Sequence, residues 1–476
     1  MVLANTLEIL KEASISKLLC LGSCRVDREV ALAISSNVAT IALGPVTALL
    51  VTIWFSPELQ GYYYTFGSLS SLYCLFEFGL GPAIIQFASH EWARLSFDRA
   101  GRVIGAAQAI SRLTSLTHTA LCWYAFLGVI LVLLLSVGGF MFFSLGPAYS
   151  TEWKWAWFAL CGGIGLNFVF LPVFYLLQGC NQVAEFWLYR LWQQILNNVS
   201  LGIAIVVGAG LWASPVAAFV SVVWSGCFLW YAYPRFVPSL MVQTLGQQIR
   251  WWKEIWPVQW RIAICWPSSY FIVFSFAPIL FVVRGPGEAG QMGIMTSISS
   301  VLLALSSNWV VTRAPRFGVL VAQKKFSELD RLFINSFIMS CIVATIGAVT
   351  IVGCVYLLSR FGHPLASRLL GPIPTAVLLL ATVGNLCVSN LSVYLRAFKG
   401  EPLVVVYLVS AIAIVLGTYT WGAELGAIGV TAAYLFVIVL FQLPAAMVIF
   451  WRFRSRFLNE NGSAVSCDTN NLRVKA

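Results

Sequence analysis

A few polar and charged side chains stand within or at the ends of long apolar runs, and any chemistry would sit on them. Arg261 closes the stretch Trp256-Pro257-Val258-Gln259-Trp260-Arg261, and Arg112 stands one helical turn after Gln108. Arg190 follows Glu185 by five residues. A guanidinium is a planar fork that keeps its charge and pairs with phosphate or carboxylate oxygens two at a time. Each arginine also has a plainer reading. Arg261 can reach back to the membrane interface between tryptophans, Arg112 can extend a basic loop, and Arg190 can pair with Glu185 or mark topology.

Glu77 is the acid set well inside the apolar zone of the first half. An ionised, unpaired carboxylate there costs several kcal/mol, so it must be protonated or partnered. Two roles are open, a carrier of a coupling proton and a structural cap. Gln193, Gln194, Asn197 and Asn198 form adjacent i, i+4 pairs and give one helix a polar stripe. That stripe faces either a polar cavity or a neighbouring helix that it hydrogen-bonds. No Cys or His spacing suggests a metal, and three histidines are too few to build a site. The twelve cysteines are scattered, several through apolar segments, where a thiol behaves as a small hydrophobe.

The elements that position these residues follow from composition. Hydrophobic residues make up 59% of the chain and charged residues 10%, whereas soluble domains carry about 25% charged residues. The chain therefore reads as an integral membrane protein. Its apolar runs suit helices crossing a core of roughly 30 Å rather than the short alternating strands of a barrel. The net charge of +11 is a matter of topology here, and no basic, aromatic-interleaved groove points to nucleic acid.

Twelve spans are expected, near 31–55, 61–89, 108–137, 153–177, 187–210 and 213–233, then 257–283, 289–311, 332–358, 373–397, 402–421 and 425–450. Under this layout only Lys154, Arg284, Arg360 and Arg368, of 29 Lys and Arg, fall on the outer side. The positive-inside rule then sets both termini in the cytoplasm. The expected domains are a cytoplasmic segment 1–30, a first lobe 31–233, a cytoplasmic link 234–256, a second lobe 257–450 and a cytoplasmic tail 451–476. Residues 1–29 are expected to include a short amphipathic helix, and the tail to lack fixed structure.

The two lobes read as copies. Gly61-Tyr62-Tyr63-Tyr64-Thr65-Phe66-Gly67-Ser68-Leu69-Ser70-Ser71-Leu72 aligns without a gap on Gly290-Gln291-Met292-Gly293-Ile294-Met295-Thr296-Ser297-Ile298-Ser299-Ser300-Val301. Asp98-Arg99 returns as Asp330-Arg331, and Tyr175-Leu176-Leu177 as Tyr394-Leu395-Arg396. Each lobe spans the membrane an even number of times, so the repeat runs parallel. The expected fold is all-α: twelve transmembrane helices in two parallel-repeat six-helix bundles, with the pathway between the bundles.

Three stretches carry a resemblance. Glu58-x-x-Gly61-Tyr62, then Phe76-Glu77-Phe78-Gly79-Leu80-Gly81 and the basic loop behind it, look like the O-antigen and polysaccharide flippases. Tyr394-Leu395-Arg396-Ala397-x-Lys399-x-Glu401-Pro402 fits the same family. These transporters belong to the MOP superfamily, beside MATE exporters and lipid II flippases. The family commonly has Asp where this chain has Glu77.

The resemblance implies flipping of an undecaprenyl-diphosphate-linked oligosaccharide from the cytoplasmic to the periplasmic leaflet of the inner membrane. It implies alternating access, no bound cofactor, and coupling to an ion gradient or the membrane potential. Arg261, Arg112 and Arg190 are then the candidate cations for the pyrophosphate. Gln108, Gln194 and Asn198 become candidate cavity groups, and Glu77 the coupling candidate. A polysaccharide polymerase or glycosyltransferases are the implied neighbours, beside the lipid-linked glycan and the membrane itself.

A membrane enzyme would need a large extramembrane domain with catalytic acids or histidines, and the outer loops are short. A MATE-like ion-coupled exporter of small molecules is the nearest alternative. It shares the duplicated layout but would be expected to keep several acids in one lobe.

Overall fold

The computed structural model describes residues 28–77, 79–98, 101–145, 153–241, 251–254, 256, 274–398 and 402–455. Arg261, the N-terminal segment 1–27 and the tail from 456 lie outside the described residues. The chain divides into two compact units. One comprises Met1–Tyr270 with Gly285–Gly293, and the other Phe271–Arg284 with Ile294–Ala476.

In the first unit the helices are α1 (Arg28–Trp54), α2 (Pro57–Ser70), α3 (Tyr73–Phe76), α4 (Leu80–Trp92), α5 (Ala107–Leu145), α6 (Trp153–Gly179), α7 (Val183–Val206) and α8 (Ala213–Ala232). The linking segment contributes α9 (Phe236–Met241) and α10 (Trp251–Glu254). The second unit holds α11 (Phe276–Arg284), most of α12 (Pro286–Val311), α13 (Ala314–Ala322), α14 (Phe326–Arg360), α15 (Pro372–Arg396), α16 (Val404–Leu425) and α17 (Ala427–Val437). A π-helical turn, Ile438–Gln442, carries α17 onward, so that its span extends to Ser455.

Among the described residues, nine helices are long and apolar enough to cross a membrane, and ten if the bent run α2–α4 counts as one crossing. Helix α7 has 24 residues, about 36 Å at 1.5 Å per residue, which also spans the hydrocarbon. Its polar stripe keeps its mean hydropathy low. Helix α11 is the described end of the remaining expected span. The all-helical membrane architecture read from the sequence is thus the one observed.

Two departures are local. The second span was expected to be continuous, but it breaks after Ser70 and again at Glu77–Gly79. Gly79 adopts a left-handed φ of 67°, and Ser71 turns its hydroxyl back to the Gly67 carbonyl at 2.8 Å. The helix also begins earlier than expected. Ser56 caps it by accepting the Leu59 N–H at 3.2 Å, with Pro57 in the first turn, where its missing N–H costs nothing.

The basic loop after this span is an antiparallel hairpin, β1 (Leu95–Phe97) with β2 (Val103–Gly105). Strand alternation buries Leu95 and Val103. Phe97 meets Trp92 at 4.8 Å and Phe236 of α9 at 5.9 Å.

Packing in the first unit sets α1 along α7, α5 and α4 against α6, and α8 against both α6 and α7. The first turns of α12 belong to this unit because they cross α2 at glycines. A Cβ on Gly61 would run into the Pro286 backbone, and one on Gly290 would meet the Gly61 nitrogen at 2.9 Å. The two glycines aligned by the repeat therefore touch, and only hydrogen as a side chain allows this approach.

In the second unit α16 and α15 pack on α17, α14 on α15, and α11 on α16. At the end of this unit with Asp330 and Arg454, the core gathers Phe317, Phe333, Tyr394 and Leu395.

Candidate functional site

The break in the second span puts Glu77 at the end of α3, nearly buried at 5% exposed. Its carboxylate accepts the Tyr175 hydroxyl of α6 at 2.6 Å. Gly81 makes room for the pair, since a Cβ there would meet Glu77 Oε1 at 2.7 Å and the Tyr175 ring at 2.8 Å. Arg190 of α7 and Tyr124 of α5 both lie within electrostatic reach of this carboxylate. Glu77 is thus partnered by a tyrosine, with an arginine nearby but not in an ion pair.

Arg190 is held by its helix. Its neighbour Tyr189 stacks on Phe174 with ring centroids 3.7 Å apart and shares a 2.7 Å hydrogen bond with Ser225 of α8. Trp224 donates its indole N–H to the Tyr189 carbonyl at 3.2 Å. The Arg190 guanidinium donates from Nη1 to Gln193 Oε1 at 2.9 Å. The local pair with Glu185 does not form, because Glu185 instead meets Arg28 of α1 at 3.1 Å. Five residues along a helix place Arg190 and Glu185 on different faces, whereas α1 brings Arg28 to the Glu185 side. Among the described residues, Arg190 has no carboxylate at ion-pair distance.

Arg112 has a different environment. Its Nε meets Glu91 Oε1 of α4 at 2.7 Å, and its Nη2 meets Glu254 Oε2 of α10 at 2.7 Å. Two carboxylates occupy the fork, so Arg112 ties the linking segment to the first unit. Gln108 lies exposed one turn earlier.

The polar stripe of α7 divides. Asn198 Oδ1 accepts from Thr47 of α1 at 3.0 Å, and Asn198 Nδ2 donates to the Gln194 carbonyl at 2.9 Å. Asn197 Oδ1 accepts from Ser221 of α8 at 3.2 Å. Both asparagines hold neighbouring helices. Gln193 serves Arg190, and the Gln194 amide is half-buried with no hydrogen bond among the described residues.

The second unit has a small recess, with room of about 30 Å³, where Thr296, Ser299, Ser300, Thr382, Asn385 and Tyr434 stand among the apolar Phe276, Leu303 and Leu378. Ser299, Ser300 and Thr382 each give their proton to the carbonyl four residues back, at 2.7 to 2.8 Å. Their lone pairs therefore stay free to accept from a ligand's donors. Elsewhere in this unit Asp330 accepts the Tyr394 hydroxyl at 2.8 Å and pairs with Arg454. Among the described residues no group of three or more His, Cys, Asp or Glu could hold a metal ion.

Sequence reasoning found Glu77 and Arg190 but not Tyr175 as the carboxylate's partner, which lies 98 residues away. The available signal was the recurrence of Tyr175-Leu176-Leu177 as Tyr394-Leu395-Arg396, since each of these tyrosines bonds a carboxylate.

No family model matches the sequence, and no curated protein matches it. Solved structures do resemble the fold. The lipid II flippase MurJ in an inward closed conformation aligns with a TM-score of 0.63 over 88% of this chain and 87% of its own, at 12% identity. The chain shares this fold. An inward-facing multidrug resistance MATE family transporter aligns at 0.61 over 89% and 98%, at 15% identity. The MATE multidrug transporter DinF-BH, in a ligand complex, gives 0.54 over 90% and 96%, at 16% identity. The chain is a multi-pass membrane protein that shares the fold of this flippase and these transporters.

Proposed function

We propose that this protein flips a diphosphate-linked lipid oligosaccharide from the cytoplasmic to the periplasmic leaflet of the inner membrane, for export of a surface polysaccharide. The observation that carries the reading is Arg190, a half-buried intramembrane cation without a carboxylate at ion-pair distance among the described residues. A charge kept in such a place at the expense of desolvation suits a ligand that brings its own anion. The similar MurJ structure, a lipid II flippase, supports a lipid-linked substrate.

Arg190 would meet a phosphate oxygen, and Gln194 with Gln193 would meet sugar hydroxyls. Arg261 belongs to the same proposal as a second cation, while Arg112 contributes by tying down the linking segment. Glu77 beside Arg190 would couple a proton or ion to the cycle. The first lobe 31–233 and second lobe 257–450 would alternate access, served by a polymerase or glycosyltransferases on either side.

The test is a strain carrying Arg190→Ala at wild-type abundance. Lipid-linked glycan should accumulate in the cytoplasmic leaflet and surface glycan should fall, with Arg190→Lys intermediate. Normal surface glycan in the Ala strain would sink the role of Arg190. The alternative, an ion-coupled exporter of small molecules, is favoured by the similar MATE transporters. It calls for cation-dye efflux that is lost in Glu77→Gln while surface glycan stays intact.

A further inference from the structure

The function above leaves one pair of reactive groups unused. Cys341 on α14 and Cys387 on α15 face each other with Sγ atoms 3.8 Å apart. Their register is fixed by buried polar bonds beside them. Asn390, one turn past Cys387, donates to Ser340 Oγ at 3.0 Å, and Ser340 donates to the Ser306 carbonyl at 2.8 Å. Ser340 and Asn390 are both fully buried, so sliding either helix would strand them. A groove of about 360 Å³ reaches Cys341 between Phe337, Ile338, Ile342, Thr345 and Ile346. Ile342 and Ile346 are 45% and 63% exposed, so the opening faces outward from an apolar helix. Cys341 lies near the middle of the 35-residue α14, nine residues or about 14 Å into the expected span 332–358, which places the pair near the centre of a hydrocarbon core of roughly 30 Å.

We infer that Cys341 and Cys387 are a modification site at which a membrane-borne organic hydroperoxide closes a reversible disulfide between α14 and α15. The hydroperoxide enters by the groove. Cys341 Sγ attacks its terminal oxygen, an S–O bond forms, the O–O bond breaks, and the alcohol leaves with the thiol proton. Cys387 Sγ then attacks the sulfenic sulfur, the S–S bond forms, the S–O bond breaks, and water leaves with the second proton. Two electrons pass from the thiols to the hydroperoxide, giving one alcohol and one water. Closure needs the sulfurs to approach by about 1.8 Å, within reach of side-chain rotation. The depth of the site keeps out charged thiol reductants such as glutathione, so the bond persists in the bilayer.

The experiment treats the full-length protein in lipid nanodiscs with cumene hydroperoxide, at a dose that oxidises Met339, which is half exposed on the same helix. Non-reducing digestion and mass spectrometry should find a peptide joining Cys341 to Cys387, two hydrogens lighter than its parts. Cys341→Ser and Cys387→Ser should each abolish it, and the oxidised wild type alone should melt at a higher temperature. Glutathione should leave the bond intact in nanodiscs and cleave it after solubilisation in SDS. Oxidation of Met339 without the joined peptide, sulfenic acid stranded at Cys341, or cleavage by glutathione in the bilayer would each overturn the inference.

Discussion

Tyr175→Phe is the most informative single change in the first unit. It removes only a hydroxyl, which donates to a Glu77 carboxylate that is 5% exposed. A hydrogen bond to a charged acceptor contributes about 1.5–3 kcal/mol, and water cannot readily replace it in so closed a place. The variant should therefore lose about 1.5–3 kcal/mol of stability. Glu77→Ala should lose more, because it strands the Tyr175 hydroxyl and opens a void beside Gly81. Glu77→Gln keeps an amide oxygen to accept the same proton, so it should stay near wild type in stability while losing transport. The assay is a double-mutant cycle on purified protein in detergent, read as unfolding against SDS, with surface glycan measured in matching strains. The coupling energy between Tyr175→Phe and Glu77→Ala should lie at about 1.5–3 kcal/mol. A coupling near zero would refute the structural pairing. Full transport by Glu77→Gln would refute the coupling role and leave Glu77 as a cap.

Further outcomes can be checked by the same melting and unfolding measurements. Gly61→Ala should destabilise by about 1–3 kcal/mol through overpacking on Pro286. Gly67→Ala, on the same helix with open space around it, should be neutral or stabilising by up to ~1 kcal/mol. Arg112→Ala should cost about 1–3 kcal/mol, because it strands two carboxylates in a site that is only about a fifth exposed on the arginine side. Arg112→Lys should recover part of that, since an ammonium lacks the fork that spans both. Asn390→Ala should cost about 1–3 kcal/mol by breaking the bond to Ser340. Asn385→Ala, which lines the recess, should cost clearly less than Asn390→Ala.

Much of the architecture was legible in the chain because a membrane imposes one strong rule. Every backbone polar group in hydrocarbon must be satisfied, so long apolar runs become helices, and Lys and Arg sort the loops by side. Among the described residues, that logic located the spans from 31–55 to 425–450 and needed no long-range information. It misread the second span, where an apolar composition hid the left-handed turn at Gly79. It also gave no hint of the hairpin 95–105, whose strands are three residues each and owe their position to Trp92 and Phe236.

Side-chain roles divided by a different principle. The sequence by itself determined that Glu77, Arg112, Arg190 and the α7 stripe are costly residues in an apolar setting, because desolvation depends on residue type and depth alone. Which of them is engaged was decided by the tertiary structure. Glu91 and Glu254 claim Arg112, Thr47 claims Asn198, Tyr175 claims Glu77, and Arg28 draws Glu185 away from Arg190. Each of these partners except Glu91 is nearly a hundred residues or more away in sequence, and even Glu91 sits on another helix. A hydrogen bond needs contact to within about 3 Å, and only helix packing sets distances to that precision.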